Sequence, residues 1–412
     1  MNRNKSPRLR FAGFAGEWEE KTLGENASFT KGSGYSKSDL TNEGFPIILY
    51  GRLYTQYENI INNVDTFVSY DKNALKSFGN EVIVPASGET EEDIARASAV
   101  IQKGVILGGD LNVITPNSDI APPFLALALT NGKNNKELAK KAQGKSVVHL
   151  RNDDLKACEI YFPTKPEQTA LGDFFRRLDE TLAQERARLA KTQQLKRAML
   201  AKLFPAHGET APKLRFKGFS GDWERKMLGD LGHCVSGVGF PEREQGGSDG
   251  IPFFKVSDMN LSDNEVVLKK ANHYVTETQI AERKWQPIEQ LPCIFFAKVG
   301  AALLLNRKRL VNQPFLLDNN TMAFIMNNGL NDYFIKTLFD TIELPELAQT
   351  GALPSINAKD VENVSVLIPP TSEEQTAIGN FFQKLDQTLA LQSAALEKLT
   401  ALKKALLAAM LV

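Results

Sequence analysis

The sequence predicts an α/β (α+β) domain written twice, each copy running into a long helix, with the two helices pairing as an antiparallel coiled coil. Three observations carry this. The chain of 412 residues repeats its landmarks at an offset of about half its length. Each copy begins with short β-type runs separated by turn residues. Each then changes to a stretch without internal proline in which apolar residues recur at heptad spacing.

Phe11, Gly13, Phe14, Gly16, Trp18, Glu19, Lys21, Leu23 and Gly24 return as Phe216, Gly218, Phe219, Gly221, Trp223, Glu224, Lys226, Leu228 and Gly229, an offset of 205. Glu167, Gln168, Thr169, Ala170, Gly172, Phe174, Phe175, Leu178 and Asp179 return as Glu374, Gln375, Thr376, Ala377, Gly379, Phe381, Phe382, Leu385 and Asp386, an offset of 207. Between these anchors Gly32, Gly34 and Tyr35 parallel Gly237, Gly239 and Phe240, and 44–48 parallels 250–254. Further on, 82–88 sits where 293–300 does, and Ala142, Gln143 and Gly144 sit where Ala348, Gln349 and Gly351 do. The shared positions are glycines, prolines and apolar residues, which set turns and cores, whereas the polar residues between them differ. A period this long is no solenoid; it marks duplication of a whole domain followed by divergence of its surface.

The first domain, 1–165, carries β-type runs at 45–50, 81–85, 100–107 and 112–115 and a helical window at 123–130. A curved, mainly antiparallel sheet follows from them. A long helix is expected over 166–204. The second domain, 205–371, repeats the pattern with a helical window at 332–340, and a second long helix is expected over 372–412. The helix seam is written by Leu171, Phe175, Leu178, Leu182, Leu189, Met199 and Leu203, and again by Ile378, Phe382, Leu385, Leu389, Leu396, Leu399, Leu406 and Met410. Polar residues interrupt it at equivalent places: Glu185 and Gln392, then Lys196 and Lys403. One antiparallel register puts Glu185 opposite Lys403 and Lys196 opposite Gln392, and also matches Leu178 with Met410 and Leu189 with Leu399. A one-heptad slip would face each polar residue with an apolar one. These four residues therefore either fix the register or snorkel to solvent at the edge of the seam.

With 49 Lys+Arg against 49 Asp+Glu the formal net charge is zero, and a free, nonspecific nucleic-acid binder would be basic. Only the first long helix carries a surplus of cations. Any DNA binding by this chain alone is therefore expected to be weak and salt-sensitive. The composition, 42% hydrophobic and 24% charged, is that of an ordinary globular protein. Cys158, Cys234 and Cys293 are odd in number and widely spaced, implying neither a disulfide framework nor a zinc cluster and fitting a reducing cytoplasm. The segment 1–11 lacks the apolar core of a signal peptide, and no window has the length of a membrane span. No metal or cofactor is expected. The pair His233–Cys234 reads as a strand end, and the acidic run 89–93 as a solvated loop. The turn at Gly237–Gly239, followed by Phe240 and Pro241, lacks the third glycine of a nucleotide cradle. Trp18 and Trp223, identically placed in both copies, read as core or interface packing.

A domain, a long helix, a divergent second copy and a second long helix resemble the specificity subunit of type I restriction-modification systems. The resemblance covers essentially the whole chain. It is carried by the motifs ending at Trp18 and Trp223, by the two helix starts from Gln168 and Gln375, and by the run from Ala348 through Gly351, Pro354 and Asn357 to Asp360. The first copy departs from that last pattern between Gly144 and Asp154. The resemblance implies a non-catalytic protein whose two target recognition domains each read half of a bipartite double-stranded DNA site. It also implies that the helices act as a spacer and dock two methyltransferase subunits, and that restriction subunits add ATP-driven translocation and cleavage. The sequence agrees: it holds neither the Asn-Pro-Pro-aromatic motif and cofactor loop of an adenine methyltransferase nor the phosphate loop of a standard motor. The competing readings are a self-contained DNA-modifying or DNA-cleaving enzyme and a coiled-coil scaffold with no DNA role.

DNA-reading residues should be polar, basic or aromatic, lie in loops and differ between copies. In the first domain these are Lys31, Tyr35, Lys37, Arg52, Tyr54 and the turn at Ser87–Gly88. In the second they are Lys255, Lys298 and the cluster Arg307, Lys308 and Arg309. Each is either a contact to a base or phosphate or an ordinary surface cation. Tyr35 and Phe240, which correspond, are expected to pack the glycine turn.

Overall fold

A computed structural model describes residues 5–71, 73–142, 147–349 and 353–412, the side chains of Glu91 and Glu92 excepted. Gln143, Gly144 and Gly351 of the aligned repeat lie outside the described residues. The chain divides into two compact units, Met1–Glu185 with Leu396–Val412, and Arg186–Ala395. Each unit thus takes in parts of both long helices.

The first unit contains β1 (Glu19–Thr22), β2 (Ala27–Lys31), β3 (Phe45–Ile48), β4 (Ile60–Ile61), β5 (Glu81–Pro85), β6 (Ser98–Val100), β7 (Ile106–Leu107), β8 (Leu111–Pro116) and β9 (Glu159–Phe162). Its helices include α1 (Pro122–Thr130), α2 (Gly132–Lys141) and the first part of α3 (Lys165–Leu203). The main sheet has the order β2-β8-β5-β6-β4, antiparallel except where β4 meets β6. β5 is buried along its whole length because both faces are covered, so 82–85 are apolar without alternation, and the buried Glu81 carboxylate at its start accepts from the amides of Phe78, Gly79 and Asn80. The period of two survives in what each residue touches. Val82 and Val84 join the cluster with α1, and Ile83 joins Leu111 and Val113 on the other face.

The second unit repeats this frame with β10 (Glu224–Met227), β11 (Gly232–Ser236), β12 (Ile251–Phe254), β13 (Cys293–Ala297), β14 (Lys308–Val311), β15 (Leu316–Leu317), β16 (Thr321–Met326) and β17 (Ser365–Ile368). It also holds α4 (Asp332–Asp340) and most of α5 (Ser372–Met410). Its main sheet, β11-β16-β13-β14, is wholly antiparallel. Again alternate residues diverge, Ile294 and Phe296 toward α4, Cys293 and Phe295 toward the opposite core. In both units a small outer sheet forms on a parallel pair, β3 with β7 and β12 with β15. The glycine turns lie against these pairs. A Cβ on Gly32 would stand 1.8 Å from the Gly108 carbonyl oxygen, and one on Gly237 1.9 Å from that of Asp318, so only glycine fits.

A two-stranded ribbon closes each unit, pairing the strand after the tryptophan with the strand before the long helix: β1 with β9 and β10 with β17, both antiparallel. The ribbon brings the opening motif to the helix start. There Arg10 donates two hydrogen bonds, both 2.6 Å, to the Glu167 carboxylate, and a third to the Gly16 carbonyl. Arg215 does the same to Glu374 at 2.7 Å for both bonds, and to Gly221. Glu167 and Glu374 are each only 1% exposed, so the arginines are what make a carboxylate tolerable there. The carboxylates also sit in the first helical turn, where the macrodipole favours negative charge. The motif glycines allow the helix to press against its domain: a Cβ on Gly379 would meet the Oδ1 of Asn331, the cap of α4, and one on Gly172 would meet Pro123. Trp18 packs edge-on to Phe124, and Trp223 to Phe334 and Phe204, so both tryptophans are core residues.

The two helices are each 39 residues long, about 58 Å at 1.5 Å per residue. In the first unit Leu171, Phe175 and Leu178 share a core with Leu406, Leu407, Met410 and Leu411. In the second, Lys196 meets Asp386 while Phe204 meets Phe382, so the segments run antiparallel. The seam lysines find partners other than those expected. Lys403 pairs with Asp179 rather than Glu185, and Lys196 with Asp386, at 2.6 Å, rather than Gln392, whose Oε1 is buried with no hydrogen-bond donor among the described residues. A half-buried ammonium gains more from a carboxylate than from an amide, and Asp179 and Asp386 are the equivalent last residues of the repeated helix-start motif.

Two outcomes are expected. Arg10→Ala or Arg215→Ala leaves a buried glutamate unpaired and should destabilise the chain by about 3 kcal/mol in urea unfolding; an effect no larger than that of a surface substitution would show the clasp to be dispensable. Reversing one seam charge, Lys403→Asp, should destabilise, and adding Asp179→Lys should restore about 1 kcal/mol in a double-mutant cycle. A coupling of zero would remove these residues from the seam's specification.

Candidate nucleic-acid interface

In the first unit the expected residues fall into two groups. Tyr35, Lys37 and Arg52 line one cleft of roughly 330 Å³, together with Tyr50 and Gln56. Lys37 is exposed on a short 3-10 turn, whereas Tyr35 is buried, stacks on Tyr70 and joins a cluster with Ile47, Val68 and Ile106. Arg52 is not a free cation. Its guanidinium pairs with Glu58 at 2.9 Å and Asp65 at 2.5 Å and donates to the Asn63 carbonyl, and its side chain is 8% exposed. It braces the segment 58–65, which carries β4. Tyr50 and Gln56 carried no signal in the sequence beyond residue type.

The second group gathers at the start of β8. Lys31 donates to the Oδ1 of Asn112 at 2.7 Å, and Ser87 to Asp110 at 3.0 Å. Burial pulls the Lys31 ammonium below its usual range against the pull of Asp110. Tyr54 donates to the Ser87 carbonyl at 2.6 Å, and burial pushes its phenol well above its ordinary value. Ser87–Gly88, expected as an exposed turn, is a buried two-residue strand paired with Val148–His149. The hydrogen bonds of Ser87 to Asp110 and of Tyr54 to the Ser87 carbonyl therefore hold the frame together.

In the second unit the outer sheet bears a different lining. Phe240 stacks on Phe253 with centroids 3.7 Å apart, and Trp285 stands edge-on to both. Lys255 reaches Gln245 at 3.1 Å beside this stack, and Lys298 sits half-buried just after β13. The expected loop cluster Arg307–Arg309 instead leads into and occupies the edge strand β14. Arg307 donates to Asn260 and Arg309 to the Asn264 carbonyl, so both brace the segment that follows Lys255. Lys308 is 4% exposed, its ammonium held by Asn306 and the Ile342 carbonyl at 2.7 and 2.6 Å.

These three line a cleft of roughly 470 Å³ with residues of α3, α4 and α5: Lys196, Arg197, Lys336, Asp340 and Asp386, and with Glu265. Four of them form a closed box. Lys196 meets Asp386 at 2.6 Å and Asp340 at 3.4 Å; Lys336 meets Asp340 at 2.7 Å and Asp386 at 3.1 Å. Against burial, which acts to raise it, Lys336 and Lys196 hold the Asp386 carboxyl below its usual range. Nothing in the sequence singled out Lys336, which sits between the apolar residues Ile335 and Leu338 of α4, though Asp386 stood in the repeated motif.

The Cys158, Cys234 and Cys293 thiols are pushed up by burial to about 11, 12 and 12, far from a thiolate at neutral pH. His233 and Cys234 lie within β11, and in the acidic run Asp93 is held by Arg96 and by Thr90. Among the described residues no group of three His, Cys, Asp or Glu is placed to hold a metal ion. The amides of Gly32 and Gly237 donate to the Leu111 and Thr321 carbonyls, which leaves them no phosphate to cradle.

One frame built twice, with a different polar and aromatic lining on each copy, defines a duplicated recognition module. The chain belongs to the type I restriction modification DNA specificity domain family, whose model matches residues 15–194 and 220–401. It is a DNA-specificity chain of a type I restriction-modification system. The fold is shared with the S subunit of a type I restriction-modification system from M. genitalium, at 17% identity and a TM-score of 0.69 over 99% of each chain. A chain solved in work on complex assembly and conformational transition of the type I R-M system matches at 17% identity and 0.54, over 96% of this chain and 97% of that one. The HsdS subunit from Thermoanaerobacter tengcongensis matches at 18% identity and 0.45 over 98% of each. A comparison with curated proteins found no match. No helix among the described residues is long and apolar enough to cross a membrane.

Burial lowers the Lys308 ammonium to about 8 from its ordinary 10.5, Asp340 and Glu343 offsetting only part of the effect. Across that window the unfolded chain keeps a proton that the folded one releases, so stability should rise with pH between these values. Thermal unfolding should show wild type gaining on Lys308→Met by on the order of 1 kcal/mol per pH unit there; parallel profiles would place the ammonium in water.

Proposed function

We propose that each domain reads one half of a bipartite double-stranded DNA site, that the long helices set the separation and dock two methyltransferase subunits, and that this chain performs no catalysis. Restriction subunits would join the same complex in the cytoplasm and supply translocation and cleavage. The observation that carries this is the pairing of a constant frame with a variable lining. Clasp, ribbon and glycine turn are the same in both copies, while the surface beside the turn offers Lys37, Tyr50 and Gln56 in one and an aromatic stack with Lys255 in the other. A surface that diverges on a fixed frame suits two different half-sites. The cations that reach DNA are Lys31, Lys37, Lys255, Lys298, Arg307 and Arg309, whereas Arg52, Tyr54, Ser87 and Lys308 position them.

Co-expression with the cognate methyltransferase subunit, followed by mapping of methylated adenines, should yield a motif in two parts with an unread centre. Exchanging 1–165 for another variable domain should change one part only. A continuous motif, or methylation by the purified single chain, would overturn the proposal.

A further inference from the structure

The box of Lys196, Lys336, Asp340 and Asp386 is balanced, two ammoniums against two carboxylates. The rest of its cleft is not. Arg197, Arg307, Lys308 and Arg309 face a single acid, Glu265. Among the described residues none of the four makes an ion pair. Their partners are neutral oxygens: Asn260 for Arg307, Asn306 and Ile342 for Lys308, and the backbone carbonyls of Asn264 and Lys308 for Arg309. Arg197 is exposed and has none among the described residues. Neutral oxygens position a cation without cancelling it, and each guanidinium retains unused N–H donors. The charge is costly enough that burial, with Arg307 adding to it, pulls the Arg309 guanidinium below its ordinary value. Lys308 is fixed behind the arginines and cannot swing away to find a counterion.

We propose that this cleft binds a phosphate group, with Arg197, Arg307 and Arg309 as donors and Lys308 as the fixed charge behind them. A carboxylate is satisfied by one bidentate fork, whereas phosphate oxygens diverge and accept from several guanidinium planes at once. The cleft, roughly 470 Å³, leaves room for the atoms on either side of a phosphodiester. The phosphate comes from a DNA backbone if the reading above holds, or from a free phosphate if it does not. Such a contact adds affinity without choosing sequence, and through Arg197 it engages the long helix α3.

The test uses the full chain and the variant Arg197→Ala with Arg307→Ala, two residues that support no buried charge; Arg197→Ala alone serves if the double variant unfolds. Duplex DNA of arbitrary sequence is titrated across salt concentrations, with Lys136→Ala and Lys140→Ala together as a control for lost charge. Losing one phosphate contact should flatten the slope of log Kobs against log salt by about one, with no such change in the control. Separately, inorganic phosphate should raise the Tm of wild type above that in chloride at equal ionic strength, and should not do so in the variant. A phosphate effect with an unaltered slope assigns the site to a free oxyanion rather than DNA. If neither readout moves, or the control flattens equally, the site does not exist. A continuous methylated motif would sink the bipartite reading and leave the slope as it is, so the two failures are told apart.

Discussion

The structure depends on one interaction made twice, the bidentate hydrogen bond between an arginine ahead of each tryptophan and a buried glutamate at each helix start. Arg10 with Glu167 and Arg215 with Glu374 tie the first strand of a domain to the helix that leaves it. Because the same arginine also holds the carbonyl of Gly16 or Gly221, the opening motif, the ribbon and the tryptophan are located together. Everything that varies between the copies hangs from this corner. The surface can therefore diverge without disturbing the angle at which the helix departs.

Much of the fold was legible because duplication is its own internal comparison. Residues that return at the same offset proved to be those that pack or turn: Trp18 and Trp223 in the cores, Gly172 and Gly379 under a neighbouring helix, Tyr35 and Phe240 beside the glycine turn. Heptad spacing gave both helices to within a residue or two of their ends. The seam partners were misjudged because heptad logic weighs position and not strength. Asp179 and Asp386 lie nearer to the lysines' reach than the pairing of like positions suggests, and an aspartate outcompetes glutamine for an ammonium.

The recognition surface was far less legible. A sequence shows which residues are cationic but not which cations are already neutralised. Arg52 looked like a free guanidinium and is locked between Glu58 and Asp65; Lys308 looked like the middle of a basic loop and is buried in an edge strand. Both facts turn on contacts made by residues that only the tertiary fold brings near, such as the Ile342 carbonyl. Conversely, Tyr50 and Gln56 are unremarkable in the sequence and gain interest only from sharing a cleft with Lys37.

The core that holds Trp18 also holds Met410 and Leu411, and Leu9 donates to the Ala409 carbonyl. Asp179 and its partner Lys403 are 224 residues apart in sequence. A ribosome therefore releases the whole of the second unit before it releases the segment that completes the first. During synthesis Leu171, Phe175 and Leu178 stand without their cover, and closing so long a loop is entropically slow. A nascent chain of this design is exposed to aggregation for longer than its two modest domains would suggest. A truncated message would yield a first domain whose core is permanently unfinished.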